Sequence, residues 1–433
     1  VPDLVVVGGQ WGDEGKGKVV DFLAGTADAV VRFQGGPNAG HTVCSAGREF
    51  TFHQVPSGIL YPKTRCFIGC GCVIDPFILN RELADLRRHK VQHAGRLMLD
   101  ARAQMILPYH RLLDRLRDEQ ANRRRIGTTG QGIGPAYGDK VARNGIRAAD
   151  LLNEDDFKDR LKRNVAAANF LLMERYKAEP LSFKKLAAEY WDATRSAARL
   201  VGDTSRAVED CLRRGERVMF EGAQGMHLDL DLGTYPFVTS SSTWAGGVAS
   251  GTGISPVWIT EVLGIVKAYT TRVGMGPFPT ELGEADAEHL RKLGHEYGAT
   301  TGRPRRCGWF DAPVVRTSVR HNRLAGLVIT KLDVLDSFEE IRVCHSYRSA
   351  GRTLDEFVPF VSGSIEPQYL TLPGWRESTS RCTSWRQLPA RARSYIRKLE
   401  ELCGCPVAIV STGKDRSQTI VLAPRRLRWL KSS

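Results

Sequence analysis

Five glycines, two acids and two lysines fall within Gly8-Gly9-Gln10-Trp11-Gly12-Asp13-Glu14-Gly15-Lys16-Gly17-Lys18. Residues of these types at this spacing can handle phosphate. Glycine lets the backbone turn tightly and approach an anion. Backbone N–H groups and a helix N-terminus would face that anion, with Lys16 and Lys18 adding charge. Gly12 to Lys18 fits the G-x-x-x-x-G-K spacing of a P-loop, but Val19 stands where such a loop places the Ser or Thr that holds Mg2+. Asp13 and Glu14 are the unusual feature. Carboxylates beside phosphates repel them unless a cation intervenes or the acid takes a proton, so Asp13 is a candidate metal ligand, general base or both. The competing reading is a plain Gly-rich turn with solvated charges.

Further polar loops punctuate the chain. Gly35-Gly36-Pro37-Asn38-Ala39-Gly40-His41-Thr42 is a second glycine-rich loop, and a histidine in such a loop after a strand reads as functional. Ile126 to Tyr137 is dense in glycine and hydroxyls and is expected to be neither helix nor regular strand. Lys140 and Arg143 follow it, which makes an anion contact plausible. Gly233 to Thr243 is rich in hydroxyls. Gly298 to Arg306 is basic with glycine hinges, suited to bidentate capture of carboxylate or phosphate. In Thr330-Lys331-Leu332-Asp333 an acid at a strand end could accept from the N1 and N2 hydrogens of guanine, with Lys331 along the base face. This resembles the N-K-x-D signature of GTP-binding proteins, with Thr in place of Asn. Ser411-Thr412-Gly413-Lys414-Asp415 would suit a second base-contacting loop.

These loops need a scaffold. Leu4–Val7, Ala29–Phe33, Arg217–Glu221, Ala325–Thr330 and Pro406–Val410 are short apolar runs that read as buried parallel strands. Val19 to Leu23 reads as the first turns of a helix. Pro76–Lys90, Ala103–Gln120, Asp155–Tyr176 and Ser182–Cys211 have helical spacing. The expected fold class is α/β: one large, mostly parallel central sheet flanked by helices, with a P-loop-like phosphate loop after the first strand. Residues 1–433 are expected to form one domain, with a helical layer at about 150–215. Ligands in such sheets bind at the carboxyl ends of the strands, so the loops should converge.

Composition narrows the classes. At 433 residues, 42% hydrophobic and 25% charged, the chain has the profile of a soluble globular protein, and no stretch approaches a membrane span. A core strand near the start, in place of a leader, and ten cysteines without a secretory signal point to reduced thiols in the cytoplasm. Neither Cys66, Cys70 and Cys72 nor Cys403 and Cys405 has structural-zinc spacing. His89 and His93 lack the acid of a metalloprotease pattern. The net charge is +14. Its short clusters, Arg123 to Arg125, Arg303 to Arg306 and Arg425 to Arg428, lie in no nucleic-acid-binding module, so solvated faces and anionic small molecules are the expected roles.

Taken together, the loops resemble the adenylosuccinate synthetase family. Its signature Q-W-G-D-E-G-K-G stands complete at Gln10 to Gly17, and G-I-G-P-x-Y with the following K and R at Gly132 to Tyr137, Lys140 and Arg143. The motifs G-G-x-N-A-G-H-T, G-T-Y-P-x-V-T-S-S, A-T-T-G-R-x-R-R, T-K-L-D and S-T-G follow in family order, from residue 4 to about residue 420. The resemblance implies that the γ-phosphate of GTP moves to O6 of IMP and that L-aspartate then displaces it at C6. It implies catalytic roles for Asp13 as base, His41 as acid, Lys16 and Gln224, with Mg2+ on Asp13 and the Gly40 carbonyl. IMP would meet Asp13, Lys16, Asn38, Gly40, His41, Thr129, Gln224, Thr239 and Arg303, with Arg143 supplied by the other subunit of a homodimer. Aspartate would meet Ala299, Thr300, Thr301, Gly302, Arg303 and Arg305. GTP would meet Gly12 to Lys18 (Gly12, Asp13, Glu14, Gly15, Lys16, Gly17, Lys18), Gly40, His41, Thr42, Arg305, Lys331, Leu332, Asp333, Ser411, Thr412 and Gly413.

Five positions depart from the family pattern: Gln131 where a basic residue is usual, Ser242 where Asn is usual, Met226-His227 in place of smaller residues, and Lys414 in place of Pro. A related phage branch acts on dGMP and replaces the loop aspartate, whereas Asp13 is intact here. A regulatory GTPase would share the P-loop and T-K-L-D, but would want Ser or Thr at position 19 and have no use for the loop at 299–306. A nucleic-acid binder would leave Asp13 and His41 without a task.

Overall fold

The structure is a computed structural model describing residues 3–45, 48–122, 125–298, 302–360, 364–422 and 427–431. Ten strands form its main sheet: β1 (Leu4–Gly8), β2 (Ala29–Arg32), β3 (Arg65–Ile68), β4 (Leu97–Asp100), β5 (Val201–Gly202), β6 (Val218–Glu221), β7 (Glu261–Lys267), β8 (Gly326–Thr330), β9 (Val407–Ser411) and β10 (Thr419–Val421). Across the sheet they run β10-β9-β8-β7-β1-β6-β2-β3-β4-β5. Neighbours are parallel except for the edge strand β10, which is antiparallel to β9.

Because side chains alternate along a strand, β1 feeds two cores. Leu4 and Val6 join Val19, Val20 and Leu23 of helix Lys16–Ala24 and Phe157 and Leu161 of helix Glu154–Phe170 on one face. Val5 and Val7 join Val208, Val315 and Ile396 on the other. Burying β1 on both faces removes from water an apolar run that a one-sided sheet would expose. Among the described residues no helix is long and apolar enough to cross a membrane.

From β1 the chain works outward through β2 to β5. It returns as β6 between β1 and β2, and continues on the other side through β7 to β10. The direction reverses beside β1. There the loops after β1, β6 and β7 part to leave a crevice at the carboxyl edge.

Three local expectations change. Residues 126–132 are loop as expected, but Ile133–Ala142 is an α-helix, entered through Gly132 at φ 77°. Pro135 lies in its first turn, where no helical N–H is needed, so the glycine- and proline-rich composition does not prevent a helix. Within Ser182–Cys211 the helices Phe183–Ala198 and Thr204–Arg213 are separated by β5, whose two residues are too few to register as a period. The antiparallel strands Glu340–Ser349 and Glu366–Pro373 form part of a separate four-stranded sheet that periodicity did not indicate.

Candidate active site

The crevice is a cleft of about 880 Å³, within the range of small-molecule sites. It gathers Gly12, Asp13, Gly15 to Lys18, Asn38, Gly40 to Thr42, Thr129, Gln224, Thr239, Arg305, Lys331, Asp333, Ser411 and Gly413, all anticipated, from segments up to 401 positions apart.

The loop after β1 is held from below. Glu14 is fully buried. Its Oε1 accepts from the N–H groups of Gln10 and Gly12 at 3.1 and 2.9 Å, and its Oε2 accepts from Lys16 Nζ. Its carboxylate therefore faces inward and does not line the cleft. Thr330 Oγ1 ties the Glu14 carbonyl to the end of β8 at 2.6 Å. Gly12 and Gly15 take φ 83° and 80°, and between them Asp13 takes φ 57°. A non-glycine residue in the left-handed region is uncommon and clusters at functional sites. Asp13 Oδ2 accepts from Arg305 Nε at 2.7 Å.

Two further polar groups meet Asp13 in the cleft. His41 sits at the start of strand His41–Ser45 and is buried. Its Nδ1 bonds Glu221 at the end of β6, while Nε2 has no hydrogen-bond partner among the described residues. Glu221 also accepts from Ser57 N and Oγ at 2.9 and 3.0 Å. Burial alone would raise its carboxyl pKa, but the bond from His41 reverses this and holds it below the usual value. Gln224, one turn beyond β6, takes φ 58°. Its Nε2 donates to Asn38 Oδ1 at 3.0 Å and its Oε1 is unpartnered. A Cβ on Gly8 would lie 2.5 Å from the Gln224 carbonyl, so only glycine lets the two loops close together.

At the other end Lys18 does not present a free ammonium. Nζ donates to Ser411 Oγ, Gly413 O and Gln418 O at 2.7, 2.7 and 2.8 Å, and burial pulls its pKa down to about 8. Lys331, at φ 59°, donates to the Gly294 carbonyl at 2.5 Å. Asp333 lines the pocket beside it, its pKa raised by burial.

Other expected contacts lie behind or outside the wall. The Leu332 and Thr412 side chains are buried behind the cleft, Thr412 Oγ1 donating to Cys382 O at 3.0 Å. Gly302 and Arg303 are exposed and do not line it. Ala299, Thr300 and Thr301 lie outside the described residues. Arg143 caps Ile133–Ala142 at φ 64° and lines a separate cavity of about 400 Å³ with Arg117, Arg160 and Arg163.

The wall also contains residues that sequence reasoning missed. Trp11 packs against His227, Phe278 and Phe357 at 5.4, 5.6 and 5.6 Å, with the Arg272 guanidinium 5.3 Å from its ring. The Met226-His227 departure thus falls in the packing behind Trp11. There His227 bonds the Val314 carbonyl at 2.8 Å, and burial lowers its pKa to about 4. Gln131 and Ser242 do not line the cleft, whereas Lys414 does. Glu221, Lys267 and Glu296 are buried charges around the site. Each of the first two ends an apolar strand, a signal that could have flagged them.

Comparison with known proteins agrees with this geometry. The family model described as adenylosuccinate synthetase matches residues 5–420. The chain is 50% identical to an adenylosuccinate synthetase of Heliobacterium modesticaldum over 421 residues, covering 97% of this chain and 98% of that one. It is also 50% identical to one of Synechococcus sp. over 422 residues, covering 97% and 96%. Its structure matches that of the fully ligated adenylosuccinate synthetase from Plasmodium falciparum with a TM-score of 0.90 and 35% identity, covering 98% of this chain and 100% of that one. A cyanophage S-2L succinoaminodeoxyadenylate synthetase bound to dGMP and dATP shares the fold, with a TM-score of 0.62 and 19% identity over 100% and 98% of the chains.

Proposed function

The chain belongs to the adenylosuccinate synthetase family, and we propose that Asp13, Lys16, His41 and Gln224 carry out its chemistry. It is a GTP-dependent ligase of purine synthesis that joins L-aspartate to IMP, giving adenylosuccinate, GDP and phosphate. One observation carries the residue assignment: Asp13, held at a left-handed φ, shares a cleft with two buried polar atoms that lack partners, His41 Nε2 and Gln224 Oε1.

O6 of hypoxanthine becomes nucleophilic when N1 loses its proton, and Asp13 takes that proton. O6 then attacks the γ-phosphorus of GTP, and the bond to the β–γ bridging oxygen breaks to release GDP. His41, oriented by Glu221, presents Nε2 to the leaving oxygen. Lys16 and the amides of the glycine loop offset charge on the transferring group, where positioning and electrostatics dominate. Gln224 holds the hypoxanthine together with Asn38. In the second step the aspartate amino nitrogen attacks C6, the C6–O6 bond breaks, and phosphate leaves with O6. Asp333 accepts from guanine.

Asp13 and Gly40 both line the cleft, and a carboxylate and a backbone carbonyl are hard oxygen donors of the kind that would hold Mg2+. Held there, the ion would supply neutralisation of the phosphate charge. The exposed Arg143, which lines a different cavity from the main cleft, is assigned to the neighbouring site of a homodimer. None of the nine described cysteines is in a disulfide, which supports a cytoplasmic location.

The test is an absorbance assay with GTP, Mg2+ and L-aspartate, offering IMP or dGMP. Turnover that requires every component and prefers IMP is expected. Turnover with dGMP alone, or GTP hydrolysis independent of IMP, would overturn the reading.

A further inference from the structure

Beneath the cleft lies a carboxylate that neither chemical step uses. Glu296 is fully buried. It accepts from Lys267 Nζ at 2.8 and 2.9 Å, from the Tyr269 hydroxyl at 2.5 Å and from Arg305 Nη1 at 2.6 Å, and Lys331 Nζ lies 3.8 Å away. Lys267 is also fully buried and donates to Thr271 Oγ1 at 2.6 Å. Two of these partners extend into the cleft. Arg305 reaches Asp13 at 2.7 Å, and Lys331 lines the pocket next to Asp333. The backbone N–H of Arg305 donates to the Glu296 carbonyl at 2.9 Å, so the two residues are joined twice.

The charges form an alternating chain: Asp13, Arg305, Glu296, then Lys267 and Lys331. Burial opposes ionisation of Glu296, but the three cations outweigh it and hold the carboxyl at about 2. Removing this charge would strand Lys267 in the interior and leave Arg305 with Asp13 as its only acid partner.

We propose that Glu296 is a positioning residue that, through Arg305 and Lys331, holds the reacting end of the cleft and its guanine-reading end in one arrangement. The proposal rests on the ligase reading above. Glu296 divides the Arg305 guanidinium between itself and Asp13. Without it, Arg305 is drawn wholly to the base, and Lys331 loses the negative charge that holds it. Of the groups assigned to IMP, Asp13 alone belongs to this chain of charges, whereas Asn38, Thr129, Gln224 and Thr239 have no hydrogen bond to it among the described residues.

The experiment compares Glu296→Gln with wild type in steady state, varying GTP, L-aspartate and IMP in turn. The amide keeps the shape and removes the charge. We expect kcat to fall about 10- to 100-fold, the range for residues that orient a reacting group from behind. The KM values for GTP and aspartate, whose assigned contacts include Arg305, should rise more than that for IMP, which meets the chain of charges only at Asp13. A purely structural role would move all three alike. The double variant Lys267→Met/Glu296→Gln removes the stranded ammonium, so its melting temperature should recover while the KM split persists. Unchanged KM values for GTP and aspartate in Glu296→Gln, or recovery of both stability and KM in the double variant, would overturn the proposal. Should Glu296→Gln not accumulate, Tyr269→Phe removes one hydrogen bond from the same carboxylate. It should show a smaller split of the same sign, and equal movement of all three KM values would count against the role. Failure of the wild type to form adenylosuccinate would refute the ligase reading instead.

Discussion

At the end of the cleft assigned to the reaction, His41 Nε2 and Gln224 Oε1 are buried without partners among the described residues, whereas at the end assigned to guanine Lys18 donates to three oxygens and Lys331 to the Gly294 carbonyl. Leaving a buried polar atom unpaired costs about 1–3 kcal/mol, so the two ends store different things. The reacting end retains hydrogen-bonding capacity for groups that are not part of the chain. The end assigned to guanine uses its cations to build the pocket, and under the proposed assignment recognition falls to Asp333. Lysines in a phosphate-loop motif are therefore not interchangeable. Both line the cleft, but Lys16 is held on a buried carboxylate, while Lys18 joins the first helix to the loop after β9.

The contrast can be broken at either end. The largest effect is expected for Asp13→Asn, because Asn tolerates the left-handed φ but cannot accept the N1 proton. Turnover should fall about 10²- to 10⁴-fold with an unchanged melting curve, and wild-type-like turnover would remove Asp13 from the mechanism. Next comes Glu221→Gln, which loosens His41 without touching a substrate. A fall in kcat of about 10- to 100-fold is expected, with KM for GTP unchanged; a shift confined to KM would mean that Glu221 shapes binding. At the other end, Lys18→Met should mainly raise KM for GTP by loosening the loop at 411–418, leaving kcat the less affected. Equal loss in kcat would show that Lys18 acts on the phosphates after all.

The smallest effect lies in pH. The Lys18 ammonium falls to about 8 in the folded protein, against about 10.4 for an unperturbed lysine. Between those values the unfolded chain binds the extra proton, so this residue makes stability rise with pH across the window. The melting temperature of wild type minus that of Lys18→Met should therefore increase from pH 8 toward pH 10. A flat difference would contradict the burial account.

Much of this was legible in the chain. The loop after β1 and Thr330 to Asp333 both reach the cleft as expected, because each is marked by residues close in sequence. The direction of Glu14 was not legible, since its choice between cleft and interior depends on the Gln10 and Gly12 amides folding over it. That Lys18 is also tied to oxygens of the chain was not legible, because those acceptors lie 393 to 400 positions away. Glu221 and Glu296 were missed for the same reason. A buried acid is recognised by what surrounds it, and His41 and Lys267 come to them only through the order of strands in the sheet. Ile133–Ala142 was missed because glycine and proline were read as breakers without regard to their position in a first turn.

The route through O6 can be followed atom by atom. IMP carrying 18O at O6 would be converted with GTP, Mg2+ and L-aspartate, and the released phosphate analysed by mass spectrometry. The account predicts one 18O atom in each phosphate and none in adenylosuccinate. Unlabelled phosphate would contradict phosphoryl transfer to O6, and with it the role of Asp13 as the base that makes that oxygen a nucleophile.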